Sequence, residues 1–392
     1  MDLFAKCYAP SLADEYRQKG IYPYFRALET RQGPEVVMEG KRRIMLGSNN
    51  YLGLTSCPEV VEAGIKALEE FGTGCSGSRF LNGTLTMHLE LEAELAKFLR
   101  KEAVMTFSTG FQSNLGIISA LVGRSDYMIL DRENHASIYD GTRLSFGKML
   151  RYRHSDMADL ERCLQQVPDT AGALIITDGV FSMGGDIADL PSIVKLARRY
   201  GARIMVDDAH GLGTIGEGGR GTASHFGLEK EVDVYMGTFS KSLASLGGYM
   251  AAEERVVDYV RHSSRPFIFS ASIPPSSCAT ALAALRHLEA HPELPLRLGD
   301  LSDHFRQALK QRGLAIRESQ TPIVPIFTYT MDRTMIVAKA LYENGVYVNT
   351  VLPPAAPADG CMLRTSLMAT HRSALLDEAA DVLQKVLEQY HE

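Results

Sequence analysis

The chain has 392 residues and a formal net charge of −6, with a sequence pI near 6.0, a balance that argues against nucleic acid or an anionic membrane as a partner. Its 45% hydrophobic and 22% charged content is that of an ordinary globular protein, and the length predicts two or three domains. No run approaches the ~20 apolar residues that span a bilayer, and the N-terminal stretch lacks the apolar core of a secretory signal. The expected compartment is the cytoplasm, where a lipid-like substrate is met from the water side. Six scattered cysteines (Cys7, Cys57, Cys75, Cys163, Cys278 and Cys361) form no C-x-x-C pair, which favours reduced, mostly buried thiols.

In chain order, residues 1–33 read as a helical arm followed by the aromatic segment IYPYFRALE. Ile44–Leu46 is a short strand leading into the turn-rich SNNYLGL, residues 48–54. A helix over 58–70 opens on Pro58 and stops at Gly72. The tract Gly72–Arg79, all small residues and hydroxyls before its arginine, suits close approach of backbone to a ligand. A helix over 86–100 places Leu89, Leu91, Leu95, Phe98 and Leu99 on an apolar side. The strand Val104–Phe107 breaks at Ser108-Thr109-Gly110 before another helix. Hydroxyls and a glycine where a helix begins make an anion site, because the first-turn N–H groups are unpaired; an ordinary N-cap is compatible with that.

Strands near residues 104, 127, 173, 204, 232 and 249 alternate with helices or loops, including helices over 155–167 and 189–200. That spacing predicts a mostly parallel α/β sheet flanked by helices. From about 275 the pattern changes to helices around 276–289, 296–312, 332–344 and 372–389 enclosing strands near 323–328 and 361–367. The expected division is an N-terminal segment 1–47, a large domain 48–275 and an α+β C-terminal domain 276–392.

The polar chemistry concentrates at two strand ends. Ile204–Val206 runs into Asp207, Asp208 and His210, and Val232–Met236 empties into Gly237-Thr238-Phe239-Ser240-Lys241. Ligands of open α/β sheets lie beyond the carboxyl ends of strands. An acid at one end and a crowded lysine at the next suit pyridoxal phosphate, which asks for a lysine, a carboxylate at its ring nitrogen and donors around a phosphate. Two rival readings fail. GLGTIG (211–216) matches a dinucleotide fingerprint, but the EGGRG that follows cannot begin the required helix. The acids and His210 could ligate a metal, but no second cluster of ligand residues accompanies them, so no metal is expected. His135, at another strand end, could stack on a flat cofactor, and Arg364 on a short strand could grip a carboxylate bidentately.

Five ordered motifs, SNNYLGL (48–54), NHASIYDG (134–141), DGVFSMGGD (178–186), VDDAHGLG (206–213) and GTFSKSLASLGG (237–248), resemble those of the α-oxoamine synthases, which are fold-type-I pyridoxal phosphate transferases. The resemblance covers the chain from about residue 20 to its end. It implies decarboxylative condensation of an amino acid with an acyl-CoA, and active sites shared within a homodimer. GTGCSGSRFLNGT (72–84), RPFIFSAS (265–272) and PPAAP (353–357) look most like the soluble bacterial members of the family that join L-serine to palmitoyl-CoA. Those members give 3-ketosphinganine, CoA and CO₂, the entry to sphingolipid biosynthesis. Ala356 stands where that group has Thr. Sister reactions with glycine, alanine or another small amino acid, and a non-catalytic regulatory paralogue, are the alternatives.

Residue by residue, the resemblance implies that Lys241 carries the cofactor, Asp207 pairs with its ring nitrogen and His135 stacks on its face. His210 and Ser182 fall beside its phenolic oxygen. Thr238, Ser240 and the Gly110-Phe111 turn match the phosphate and ring-edge contacts, with Phe111 where the family usually has Tyr. Asn49 and Arg364 match the pair that holds the substrate carboxylate. Ser272 matches a phosphate contact supplied by a second subunit. No transmembrane segment is expected, and peripheral contact with a membrane surface is left open.

Overall fold

The computed structural model describes residues 2–390. Met1, His391 and Glu392, the outermost positions of the expected N-terminal segment and C-terminal domain, lie outside the described residues. Thirteen strands occur among the described residues. The first two are β1 (Glu35–Met38) and β2 (Lys41–Met45). Then come β3 (Ala103–Phe107), β4 (Tyr127–Asp131), β5 (Lys148–Tyr152) and β6 (Ala173–Asp178). β7 (Arg203–Asp207), β8 (Val234–Thr238) and β9 (Gly248–Ala252) complete the large sheet. The last four are β10 (Ile323–Tyr329), β11 (Val346–Tyr347), β12 (Asn349–Val351) and β13 (Cys361–Ser366).

Seven strands form the central sheet in the order β3-β9-β8-β7-β6-β4-β5. The five from β8 to β5 run parallel, and β9 is antiparallel to both of its neighbours. β4, β7, β8 and β9 are buried at every position, apart from Arg203 at the start of β7. Alternate side chains of β4, β6 and β7 feed two separate cores: Ile129, Ile175, Ile204 and Val206 face one way, and Met128, Leu130, Ile176 and Met205 the other. Both faces are therefore covered by helices, as continuous apolar strands require. One covering pair is the helix Pro58–Phe71 packed against Pro275–Ala290. Pro58 opens the first of these, and Gly72 closes it with φ +76°.

A third core gathers β10 and β13 with the helices Glu293–Gln311, Met331–Glu343 and Ser373–Gln389. Ile44, Leu46 and Tyr51 are part of it, because β2 pairs in parallel with β11. The N-terminal arm is two short helices, Ala5–Tyr8 and Leu12–Gln18, with Leu3, Phe4 and Tyr8 exposed.

Three differences from the sequence reading have local causes. β5 was not expected: its KMLRY pattern is mostly exposed at the sheet edge, so it carries no buried apolar run. The strand read as starting at Val232 begins at Val234 and includes Gly237 and Thr238, so Lys241 lies closer to the sheet than expected. Leu89 is 54% exposed rather than on the apolar side of its helix. All six cysteines are free, and three of them, Cys163, Cys278 and Cys361, are buried. No helix among the described residues is long and apolar enough to cross a membrane.

Candidate active site

The parallel strands bring Asp131, Asp178 and Asp207 to one edge of the sheet as the last residues of β4, β6 and β7. Asp178 and Asp207 are register partners. Asp207 accepts hydrogen bonds from Asn114 Nδ2 at 2.7 Å and from the Ala209 N–H at 3.1 Å. Burial, and then the neighbouring Asp207, push the Asp178 carboxyl well above the usual carboxylate range. Asp178 accepts the backbone N–H of His135 at 3.2 Å. His135 caps the helix Ala136–Leu144, its Nδ1 lies 2.7 Å from Ser137 Oγ, and its ring stays exposed above the strand ends. The Phe111 ring stands edge-on to it at 6.4 Å.

Lys241 follows β8 by three residues. Burial lowers its amine from 10.5 to about 8, with Arg364 adding to the effect and Asp207 and Asp178 opposing it. A desolvated amine with that value has a neutral fraction at physiological pH, as a nucleophile or base needs. Beside it, burial holds His210 well below its ordinary value and hence neutral. The His210 Nδ1 meets the Tyr51 hydroxyl at 2.7 Å.

Two cavities meet at these residues. One, of about 270 Å³, is lined by Gly110, Phe111, Asp207, Thr238 and Ser240. The other, of about 370 Å³, is lined by Asn49, Ser182, Arg364, Tyr24 and Thr350. His135, His210 and Lys241 border both. Their sizes are of the order of ligand pockets, about 300–1,000 Å³. A recess of about 310 Å³ at the opposite edge of the sheet, beside Tyr127, Leu174 and Val234, contains no candidate residue.

The first cavity fits pyridoxal phosphate by its donor set. At one end the helix Gly110–Leu121 begins, and a Cβ on Gly110 would stand 2.8 Å from Thr238, so the backbone comes unusually close there. The Thr238 and Ser240 hydroxyls lie 3.0 Å apart at the same end. N–H groups of a first helical turn with two hydroxyls suit a phosphate. Asp207 waits at the other end, and Asn114, which orients it, has a buried Oδ1 without a partner.

Every candidate residue lines one of these cavities except Ser272. The Ser272 hydroxyl donates instead to the Gly83 carbonyl at 2.6 Å, 189 positions away in the chain. Ser108, read with the anion site, bonds the Ala271 carbonyl, while Thr109 serves as the N-cap. Asp208 belongs to no ligand set: it accepts from Thr222 N–H at 2.7 Å and Oγ1 at 2.6 Å, pinning the following loop. Arg364 is more committed than a bidentate grip assumes. Its Nε donates to the Ser182 carbonyl, Nη1 to Ser366 Oγ at 2.6 Å, and Nη2 to Asn49 Oδ1 at 3.0 Å and Tyr51 Oη at 3.3 Å. One of its five N–H groups is left, along with the Asn49 amide nitrogen. Sequence reasoning missed Asn114, Asp178 and Tyr51 as members of the site. Tyr51 and Asp178 stood in quoted motifs, whereas nothing local marks Asn114.

Residues 41–383 match the family described as aminotransferase class I and II. The chain belongs to this family. A serine palmitoyltransferase of Sphingobacterium spiritivorum is 50% identical over 97% of this chain and 95% of its own length. An 8-amino-7-oxononanoate synthase of Thermoanaerobacter pseudethanolicus is 42% identical over 95% of each chain. A solved structure described as SPT with PLP internal aldimine superposes with TM-score 0.97 at 37% identity, covering 100% of both chains. The fold-type-I transferase architecture expected from the motifs is the one observed, and this aminotransferase-family chain groups with the α-oxoamine synthases.

Proposed function

We propose that the chain is a pyridoxal-phosphate-dependent acyltransferase that condenses L-serine with palmitoyl-CoA to give 3-ketosphinganine, CoA and CO₂. The observation that carries this reading is the half-buried Lys241 amine, lowered to about 8, where a phosphate-suited cavity joins a second cavity bearing Asn49 and Arg364. Likeness to serine palmitoyltransferases over almost the whole chain supports the choice of substrates.

The cofactor, when bound, supplies an electrophilic carbon for amines and a ring that accepts the electron pair of the α-carbon. Asp207 would hold a proton at the ring nitrogen, raising that electron demand. Lys241, with its depressed basicity, takes the proton from the α-carbon. His135 would lie against the cofactor ring and exclude water. Gly110, Phe111, Thr238 and Ser240 would hold the phosphate end, and His210 with Ser182 would border the phenolic oxygen. Asn49 and Arg364 orient the substrate carboxylate until it departs. Arg364 lies in the proposed small domain 276–392, and Lys241 in the proposed large domain 48–275, with 1–47 as the N-terminal segment. A homodimer in the cytoplasm completes the reading, with Ser272 serving the partner's site.

The test supplies the pyridoxal-phosphate-loaded protein with palmitoyl-CoA and L-serine, glycine or L-alanine, and measures CoA release and the mass of the ketone product. A kcat/KM highest for L-serine, with 3-ketosphinganine formed, supports the reading. Preference for glycine or alanine transfers the chain to a sister reaction, and absence of CoA release with all three defeats it.

A further inference from the structure

A second group of chemically competent side chains lies outside both cavities. Cys57 is the N-cap of the helix Pro58–Phe71, and Glu59 sits in that helix's first turn. His287 is in the last turn of Pro275–Ala290, the helix packed against it. Cys57 Sγ stands 2.8 Å from Glu59 Oε2 and 3.8 Å from His287 Nδ1, and the three donor atoms lie within 4.8 Å of one another. Four donors around a tetrahedral zinc are separated by about 3.5 Å, given metal–ligand bonds of about 2.0–2.3 Å. A thiol, a carboxylate and an imidazole from elements 230 positions apart thus already stand close to coordinating separations.

A fourth donor is one helical turn further on, outside that 4.8 Å cluster, and has to turn inward to join it. His291 caps the same helix, and its ring lies 4.4 Å from that of His287. Two histidines four residues apart share a helix face, a spacing that chelates metals. The His291 Nδ1 bonds Glu293 at 2.9 Å, which leaves Nε2 for a ligand. A carboxylate on the far ring nitrogen is the usual means of orienting a metal-binding histidine.

We propose that Cys57, Glu59, His287 and His291 form a binding site for one divalent cation of the zinc class, stapling the start of helix Pro58–Phe71 to the end of helix Pro275–Ala290. The mixed sulfur, nitrogen and oxygen set favours zinc over calcium or magnesium, which prefer oxygen alone. The Cys57 thiol donates a hydrogen bond to Glu59. On binding, the thiol proton leaves to buffer and the thiolate takes the metal.

The experiment uses the full-length protein loaded with pyridoxal phosphate, stripped of metal by chelation and titrated with zinc in two buffers of different ionisation enthalpy. Cobalt is added in parallel to read the thiolate-to-cobalt absorption. The expected result is one equivalent of zinc bound with proton release, and a thiolate–cobalt band. Affinity should fall about tenfold or more in Cys57→Ser and in His287→Gln. It should be unchanged in Cys7→Ser, whose thiol is exposed elsewhere. The wild-type protein alone decides one side: no saturable zinc binding at micromolar metal, or cobalt binding without a thiolate band, overturns the proposal. Affinity and band surviving both substitutions overturn it equally.

Discussion

His154 offers a prediction whose size follows from its contacts. Its Nδ1 meets Asp131 at 3.0 Å and its Nε2 meets Asp186 at 2.8 Å, with side-chain exposures of 18%, 2% and 23%. Arg317, from the C-terminal half, reaches Asp186 at 3.1 Å. The clasp ties the loop bearing His135 to the loop bearing Ser182. Burial alone would lower the imidazole, but the hydrogen bonds to Asp131 and Asp186 outweigh it and raise it from 6.5 to about 10. At about 1.4 kcal/mol per tenfold, that rise corresponds to at most about 5 kcal/mol. Two charge-assisted bonds at about 1.5–3 kcal/mol each give a similar figure. The folded-state value lies above the unfolded one, so the stabilisation is complete below pH 6.5 and is lost as pH rises through about 10. His154→Ala should therefore cost about 3–5 kcal/mol at pH 7 and progressively less towards alkaline pH. Urea unfolding followed by far-ultraviolet circular dichroism measures this, since the chain has no tryptophan. A variant within about 0.5 kcal/mol of wild type at neutral pH, or a deficit that does not shrink at high pH, refutes the reasoning.

Gly110→Ala forces a Cβ to within 2.8 Å of Thr238, so cofactor affinity should fall by about tenfold or more while circular dichroism is retained; unchanged affinity would move the phosphate elsewhere. Arg364→Lys loses the planar fork that holds Asn49 and Tyr51 together. The KM for the amino acid should rise by about tenfold or more with little change in the KM for acyl-CoA, and an equal effect on both would remove Arg364 from carboxylate binding. Glu92→Gln breaks the buried pair with Arg79 at 2.7 Å, whose side chains are 7% and 6% exposed. It should cost about 3–5 kcal/mol, and a neutral result in thermal unfolding would contradict that.

The parallel sheet was legible because β4, β6, β7 and β8 are apolar runs ending in polar residues, and the same ends locate the acids and Lys241. β5 was not legible, because most of its side chains face solvent at an edge and its pairing with β4 rests on backbone hydrogen bonds. Within the site, Asp207 and Lys241 declared themselves by strand-end position. Asn114 could not, since its role arises from a helix crossing over β7 to bring one amide within 2.7 Å of Asp207. Arg364 was visible as an isolated cation, but its commitment to the Ser182 carbonyl, Ser366, Asn49 and Tyr51 depends on how β13 meets the loops carrying Asn49, Tyr51 and Ser182. Ser272 lines neither cavity, and its hydroxyl is bonded to the distant Gly83 carbonyl; the part the resemblance gives it belongs to a second subunit's site.

The central claim is that the ε-amine of Lys241 bonds covalently to pyridoxal phosphate. Borohydride reduction of the loaded protein, followed by proteolysis and mass spectrometry, tests it directly. The account predicts the reduced cofactor adduct on the peptide containing Lys241, absent from Lys241→Ala, whose turnover should fall by at least about 10²–10⁴-fold. An adduct on a different lysine, or a Lys241→Ala protein that keeps both adduct and turnover, would contradict it.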